Sequence, residues 1–314
     1  MRQYTIRRLM FFAPVLLITS AITFFAVNLV PGDMAQIFLG FNADQEDLAA
    51  FREAAGLNKP IMQRYVEWLG GFLTGDPGKA LLGGVSIRDE LIARFPVTLT
   101  IMFFGFVFTM FFGILFGTLA AVFQDRGIDY FVRTASIFGS SIPDFFALTL
   151  LLLVPAVLWR YAPPFGYVPI WEEPWRSMKQ VIPPTLILSI GGGATLMRIQ
   201  RSALLEVLRQ DYIRTARAKG LTQRTVLLRH AMKNAMIPVL TIGGGLMAGL
   251  LSGTIILERI TSLPGLGQYT FNAVLNRDFN VIMTMTMYFA VLVMLSNLIV
   301  DLLYAWVDPR IRYQ

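Results

Sequence analysis

The sequence predicts an all-α fold: a polytopic transmembrane helix bundle of six spans with a small helical extracytoplasmic insertion. Three observations lead there. Hydrophobic residues make up 55% of the chain and charged residues 15%, with a mean hydropathy of +0.59. Several uncharged apolar runs exceed about 18 residues, the length at which a helix crosses a bilayer. Lysine and arginine collect in alternate connections between those runs, as membrane orientation requires. A soluble chain of 314 residues would usually form two domains. So much contiguous apolar surface has no place in soluble cores, and one membrane domain is expected instead.

The spans are expected at Leu9–Val30, Pro96–Phe123, Thr134–Trp159, Val181–Met197, Ala235–Leu257 and Val281–Val307. The first has the basic flank of a signal peptide, Arg7 and Arg8. Its apolar stretch is longer than a signal core, and Val30-Pro31-Gly32-Asp33 is no small-residue cleavage site, so it reads as retained. Arg2, Arg7 and Arg8 precede it. Arg126 and Arg133 lie in the second connection. The fourth carries Arg198, Arg201, Arg209, Arg214, Arg217, Lys219, Arg224, Arg229 and Lys233. With six spans these all fall on one side, which is the cytoplasm, with both termini. The chain then divides into an N-terminal transmembrane helix (1–30), an extracytoplasmic helical insertion (31–95) and a core (96–314) with a cytoplasmic loop at 203–224.

Within the insertion, Asp44–Ala55 reads as a helix stopped by Gly56. Pro60 suits a first helical position, and Ile61, Tyr65, Trp68, Leu69 and Phe72 follow at helical spacing. Ser86-Ile87-Arg88-Asp89 resembles a capping box opening a helix that runs into the second span. Gly113 with Gly117, and Gly245 with Gly249 and Gly253, form GxxxG steps, which bring helices together either within the bundle or between subunits.

Composition also excludes chemistry. The net charge of +7 follows topology and carries no nucleic-acid signal. The absence of cysteine rules out thiol catalysis, and a single histidine, His230, rules out a histidine-cluster metal site. No HExxH or GxSxG motif is present, so no catalytic residue is assigned. Gly75-Asp76-Pro77-Gly78-Lys79-Ala80 mimics a phosphate-binding loop. It has Leu73 where the first glycine belongs and Ala80 in place of the magnesium-binding hydroxyl. No ATPase is expected in this chain.

Ionisable residues within spans are costly and functional by default. Asp301 lies near the cytoplasmic end of the sixth span and reads as structural. Asp144 follows Pro143 inside the third span, near mid-membrane, with no Lys or Arg in any span to pair with it. It is expected to face a water-filled cavity or to be protonated, and a peptide ammonium group is one plausible guest. Ser141 and Asn297 are placed with it as candidate pathway residues.

The fourth connection holds the most information. Ala203–Lys219 reads as one or two helices, with Leu204, Leu205, Leu208, Tyr212 and Ala216 on one arc. Glu206, Arg214 and Arg217 lie opposite, with Val207 and Ile213 as exceptions. Gly220 breaks the helix, and Thr222 caps a second one over Gln223–Ile237 that ends at Pro238. From the residues alone this is either a compact knob that another protein grips or a basic hairpin lying on anionic lipid.

Asp211-Tyr212-Ile213-Arg214-Thr215-Ala216-Arg217-Ala218-Lys219-Gly220-Leu221 resembles the EAA loop of ABC importer permeases. Ala216 and Gly220 match its pattern of Glu-Ala-Ala, three residues and Gly, while Arg214 and Thr215 replace the first two positions. Val30-Pro31-Gly32-Asp33, Gly56-Leu57-Asn58-Lys59-Pro60, Leu263-Pro264-Gly265-Leu266-Gly267 and Asp308-Pro309-Arg310-Ile311-Arg312-Tyr313 resemble the B-type subunit of dipeptide and oligopeptide importers. The resemblance implies a type I importer permease in a prokaryotic inner membrane. It implies a second homologous permease, two cytoplasmic ATPases that bind ATP and magnesium, and an extracytoplasmic solute-binding protein. No cofactor is implied for this chain. The resemblance also implies that Asp211, Tyr212, Ile213, Arg214, Ala216, Arg217 and Gly220 couple the ATPases to the spans. A self-contained channel or carrier is the alternative, and a membrane enzyme comes third.

Overall fold

The computed structural model describes the backbone of residues 2–29, 34–40, 42–161 and 166–307, and the side chains over 10–29, 34–40, 42–161 and 166–299. Among the described residues the regular structure is helical, apart from one isolated bridge between Lys79 and Ser86. Five helices are long and apolar enough to cross a membrane, and a bent pair supplies a sixth if it counts as one span.

The helix α1 (Arg2–Asn28) is followed by three short ones, α2 (Met34–Leu39), α3 (Gln45–Ala54) and α4 (Ile61–Thr74). The helix expected over Asp44–Ala55 is α3, with Asp44 at its N-cap, and Gly56 follows its end at φ +65°. Pro60 caps α4 rather than occupying its first turn, and Gly75 ends α4 at φ +81°. The look-alike phosphate loop forms no anion cradle: Gly78 N donates to Asp76 Oδ1 at 3.3 Å, and the next residue enters the Lys79–Ser86 bridge.

The cap built by α2–α4 is fastened to α1 and to the last long helix. Tyr65 Oη and Ser20 Oγ lie 2.8 Å apart, and the Phe24 ring packs on Tyr65 and Trp68. Phe72 meets Tyr288 edge-on at 5.2 Å. Asp278, buried, accepts hydrogen bonds from Leu82 N at 3.0 Å and Val281 N at 3.2 Å.

The bundle proper begins with α5 (Ile87–Val122), whose N-cap Ser86 accepts from Asp89 N. At 1.5 Å per residue α5 is about 54 Å long, well beyond an apolar layer of about 30 Å. The third span is not continuous. It divides into α6 (Gly127–Ser141) and α7 (Asp144–Trp159), bent by 93°. Pro143 is the cause: Ile142, the residue before it, is pushed to an extended conformation at ψ 122°, and the helix stops there. The fourth span is far longer than its apolar core suggested, because α8 (Pro174–Leu208) runs on through the basic residues to Leu208. It is the hub and packs on α5, α6, α7 and the next long helix.

After α8 come α9 (Asp211–Ala218), the single turn α10 (Gln223–Thr225), a π-helical turn (Val226–Ala231) and α11 (Met232–Thr261). The expected stop at Pro238 does not occur, and Pro238 lies inside α11. Proline removes only the bond to the carbonyl four residues back, and packing against α8 and the last helix keeps α11 continuous. The sequence pattern missed α12 (Leu266–Leu275), which precedes α13 (Phe279–Val307). The Val30–Asp33 and Asp308–Tyr313 segments, and the side chain of Asp301, lie outside the described residues.

The glycine steps divide by use. A β-carbon on Gly113 would stand 2.6 Å from Leu196 Cβ, and one on Gly117 would stand 2.7 Å from the Met197 carbonyl oxygen, so α5 and α8 touch backbone to backbone. Gly253 likewise faces Leu188, whereas Gly245 and Gly249 face open space. Gly117→Leu is therefore expected to destabilise the chain by about 1–3 kcal/mol through overpacking. Gly249→Leu should leave the purified chain unchanged. Thermal unfolding in detergent separates the two, and equal shifts would contradict this packing.

Candidate functional site

The end of the bundle that carries α9 is built as a seat. Ile213 and Ala216 are buried in one apolar cluster with Ala121 from α5, Leu204 from α8, Val226 and Ala231 from the π turn, and Ala235 from α11. One short helix thus packs mainly on the π turn and shares an apolar cluster with residues of three long helices. Its other face is open: Asp211, Tyr212, Arg214, Thr215 and Arg217 are exposed, with the Asp211 side chain at 94%. Arg214 reaches Asp211 at 3.4 Å, an exposed pair of small energetic weight. Tyr212 Oη accepts from Asn234 Nδ2 at 2.7 Å, so even the exposed tyrosine is tied to α11.

Two expectations for this segment need correction. The arc that placed Tyr212 beside Leu204 and Leu208, with Ile213 as an exception, assumed one continuous helix. Arg209 and Gln210 interrupt it, Gln210 being extended at ψ 150°, and the helical phase restarts at Asp211. Ile213 therefore points inward and Tyr212 outward. Ala216 touches this chain's own core, so it is not a contact position for another protein. The helix break stands as read: Gly220 has φ +77°, with nothing within 4 Å of where a side chain would begin. Thr222 caps the following turn through Thr225 N at 3.4 Å.

Asp144 sits at the break, as the first residue of α7, rather than in the middle of a helix. It is exposed, and no ion pair reaches it among the described residues. A β-carbon on Gly191 of α8 would lie 3.9 Å from its Oδ1, so a glycine is what stands opposite. Ser141, at the last position of α6, is also exposed and donates to the Ile137 carbonyl at 2.7 Å. Ser141 and Asp144 thus stand on the two sides of the same break. Asn297 does not join them: it is exposed on α13, which packs on α1, α11 and α12.

Three buried carboxylates went unseen in the sequence. Asp278 fastens the cap. Asp129, at the start of α6, has no exposed surface and takes a bidentate fork from Arg201 of α8, Nε to Oδ1 and Nη2 to Oδ2, both at 2.7 Å. Asp125 N adds a third bond at 3.0 Å. Arg201 had counted only as a topology signal. Glu258, just past the expected end of the fifth span, is buried at the opposite end of the bundle among the glycines of the Leu263–Gly267 segment. Beside it, burial raises the Tyr269 phenol to about 12, with the nearby charges of Glu90 and Asp278 adding to the effect. The phenol stays neutral, under the guanidinium of Arg94 at 5.0 Å.

A multi-pass helical bundle with no ATP-binding loop of its own, carrying an exposed basic helix seated on its longest members, has the form of a transporter's membrane subunit driven from outside the chain. The family models agree. Residues 113–313 match the binding-protein-dependent transport system inner membrane component, and residues 1–102 match the N-terminal region of such membrane components. The chain belongs to this family, the permease subunits of ABC importers, in which ATP hydrolysis resides in separate subunits. It is 37% identical over 316 residues to the oligopeptide transport system permease protein AppB of Bacillus subtilis. It is 34% identical over 339 residues to the dipeptide transport system permease protein DppB of Alkalihalophilus pseudofirmus, and 34% over 314 residues to the glutathione transport system permease protein GsiC of Escherichia coli. Each alignment covers 100% of both chains.

Proposed function

We propose that this permease carries peptides or similar small solutes, and that α9 with the Gly220 hinge is where the ATPases push. The observation that carries the coupling reading is the two-sided placement of α9. One face is buried in an apolar cluster shared with the π turn and with residues of α5, α8 and α11, and the other offers Tyr212, Arg214 and Arg217 to a partner. Displacement of the knob then acts through the π turn, which packs on α8 and α11, as a rigid-body change between two packings of the bundle. A hairpin embedded in lipid would bury its apolar face there, whereas here the apolar face is turned into the bundle and only the charged face is left open. The substrate reading rests on relatives whose names specify oligopeptide, dipeptide and glutathione transport. A second homologous permease, two ATPases that hold the ATP and magnesium, and a solute-binding protein complete the assembly; this chain itself holds no cofactor. The basic end faces the cytoplasm with both termini, and the cap faces outward.

Gly220→Val tests the coupling. The site has room for a side chain, so only the positive φ is strained, and a β-branched residue resists that conformation where asparagine tolerates it. Gly220→Val is expected to lose ATPase co-purification and substrate-stimulated hydrolysis, with Gly220→Asn close to wild type. Wild-type behaviour of the valine variant overturns the assignment. Asp144→Asn is expected to change transport more than complex yield, because the carboxylate stands exposed at the break of a span. Unchanged transport of every tested peptide at normal yield would make Asp144 structural.

A further inference from the structure

Glu258 has no exposed surface, and no ion pair reaches it among the described residues. Every bond to its carboxylate comes from a neutral donor. Thr98 Oγ1 of α5 donates to Oε1 at 2.7 Å, and Gln268 N of α12 donates to Oε2 at 2.9 Å. Thr98 Oγ1 in turn accepts from Leu266 N at 2.8 Å. The first turn of α12 thus directs its unpaired amides at the carboxylate, the end of a helix that favours an anion. The loop closes over it tightly. A β-carbon on Gly265 would stand 2.3 Å from the carboxyl carbon, and one on Gly267 would stand 2.6 Å from Ile255 Cα. The two leucines of the loop enter different cores. Leu263 joins Val97, Leu188 and Leu257 of the bundle, and Leu266 joins Ile87, Ala273 and Met285 at the cap end.

The two helices that meet at this knot are two of the three that contribute residues to the apolar cluster under α9. On α5 the knot residue is Thr98 and the seat residue Ala121; on α11 they are Glu258 and Ala235. Each stretch, 98–121 and 235–258, is about 35 Å long at helical rise. Two struts of matched length therefore run from the knob to one carboxylate. A buried carboxyl group held by neutral donors is a costly way to gain stability alone, and its geometry is more specific than apolar packing.

We propose that Glu258 is a positioning residue for transport. It binds the rim at the cap end, the Ser262–Gly267 loop with α12, to α5 and α11, so that the rim moves as one body with them when α9 is displaced. This rests on the coupling reading above. The native chain has no thiol, so single cysteines report cleanly. Val274→Cys, on the exposed side of α12, reports the rim, and Leu221→Cys, exposed beyond α9, reports the knob. In the assembled transporter, labelling of both is expected to depend on whether the ATPases are trapped with nucleotide. Glu258→Gln and Thr98→Val should leave assembly, ATP hydrolysis and the response at position 221 intact. They should abolish the nucleotide response at position 274 and lower solute transported per ATP by about tenfold, within the range of coupling between sites. Glu258→Asp should fall between. Unchanged transport per ATP in both variants overturns the proposal. So does a parallel loss of assembly in both, which assigns Glu258 to folding, and so does a rim that does not respond in the wild type. Failure of the coupling reading is seen separately, as a position 221 indifferent to nucleotide.

Discussion

Arg201→Ala is expected to destabilise the chain by about 1–3 kcal/mol, because it removes both side-chain partners of a carboxylate that is covered in the native structure. Arg201 fills both oxygens of Asp129 in a planar fork, and Asp125 N alone cannot hold the charge. Arg201→Lys keeps the charge but not the fork and should recover part of the loss. Asp129→Ala should cost less, since the Arg201 side chain is 19% exposed and reaches some solvent. The paired replacement Asp129→Ala with Arg201→Met should be milder than Arg201→Ala, as removing both charges leaves neither buried alone. Thermal unfolding of the detergent-purified chain reads all four. A loss below about 0.5 kcal/mol for Arg201→Ala would show the pair to be solvated.

The second large effect is at the seat of α9. Ile213→Ala is expected to cost about 2–5 kcal/mol by emptying space in the apolar cluster between α9 and the π turn. Ala216→Trp has no room in the same cluster and should unseat the helix. In both variants, ATPase co-purification and the thermal stability of the isolated chain should fall together. Tyr212→Ala and Arg217→Glu, on the open face, should lower co-purification and leave stability nearly unchanged. This separates seat from docking surface. Equal stability in all four variants would mean that α9 is not anchored on the bundle.

Much of this architecture follows from local rules. Apolar runs mark the spans, and Ser86, Thr222, Gly56 and Gly220 act through caps and positive φ that depend only on neighbouring residues. The departures have one kind of cause. The third span is mostly apolar, yet Pro143 breaks it. The basic loop keeps a helical pattern, yet Gln210 resets its phase. Apolarity ends near Met197, yet α8 stays helical through Arg198 and Arg201 and buries Leu204 beyond them. Apolarity measures what lipid tolerates, and helix length depends also on what the neighbouring elements cover.

The amino-acid order was enough to establish a membrane bundle, the helix break at Gly220 and the family resemblance, since each resides in a contiguous stretch. The fold alone decided which face of α9 is its seat and which charges are buried. It also decided that Thr98 and Glu258, and Asp129 and Arg201, are partners. Those pairs are 160 and 72 residues apart. Hydrogen bonds of 2.7 Å require donor and acceptor to be placed within a few tenths of an ångström. Only the packing of α5, α6, α8 and α11 against one another does that, and no spacing along the chain encodes it.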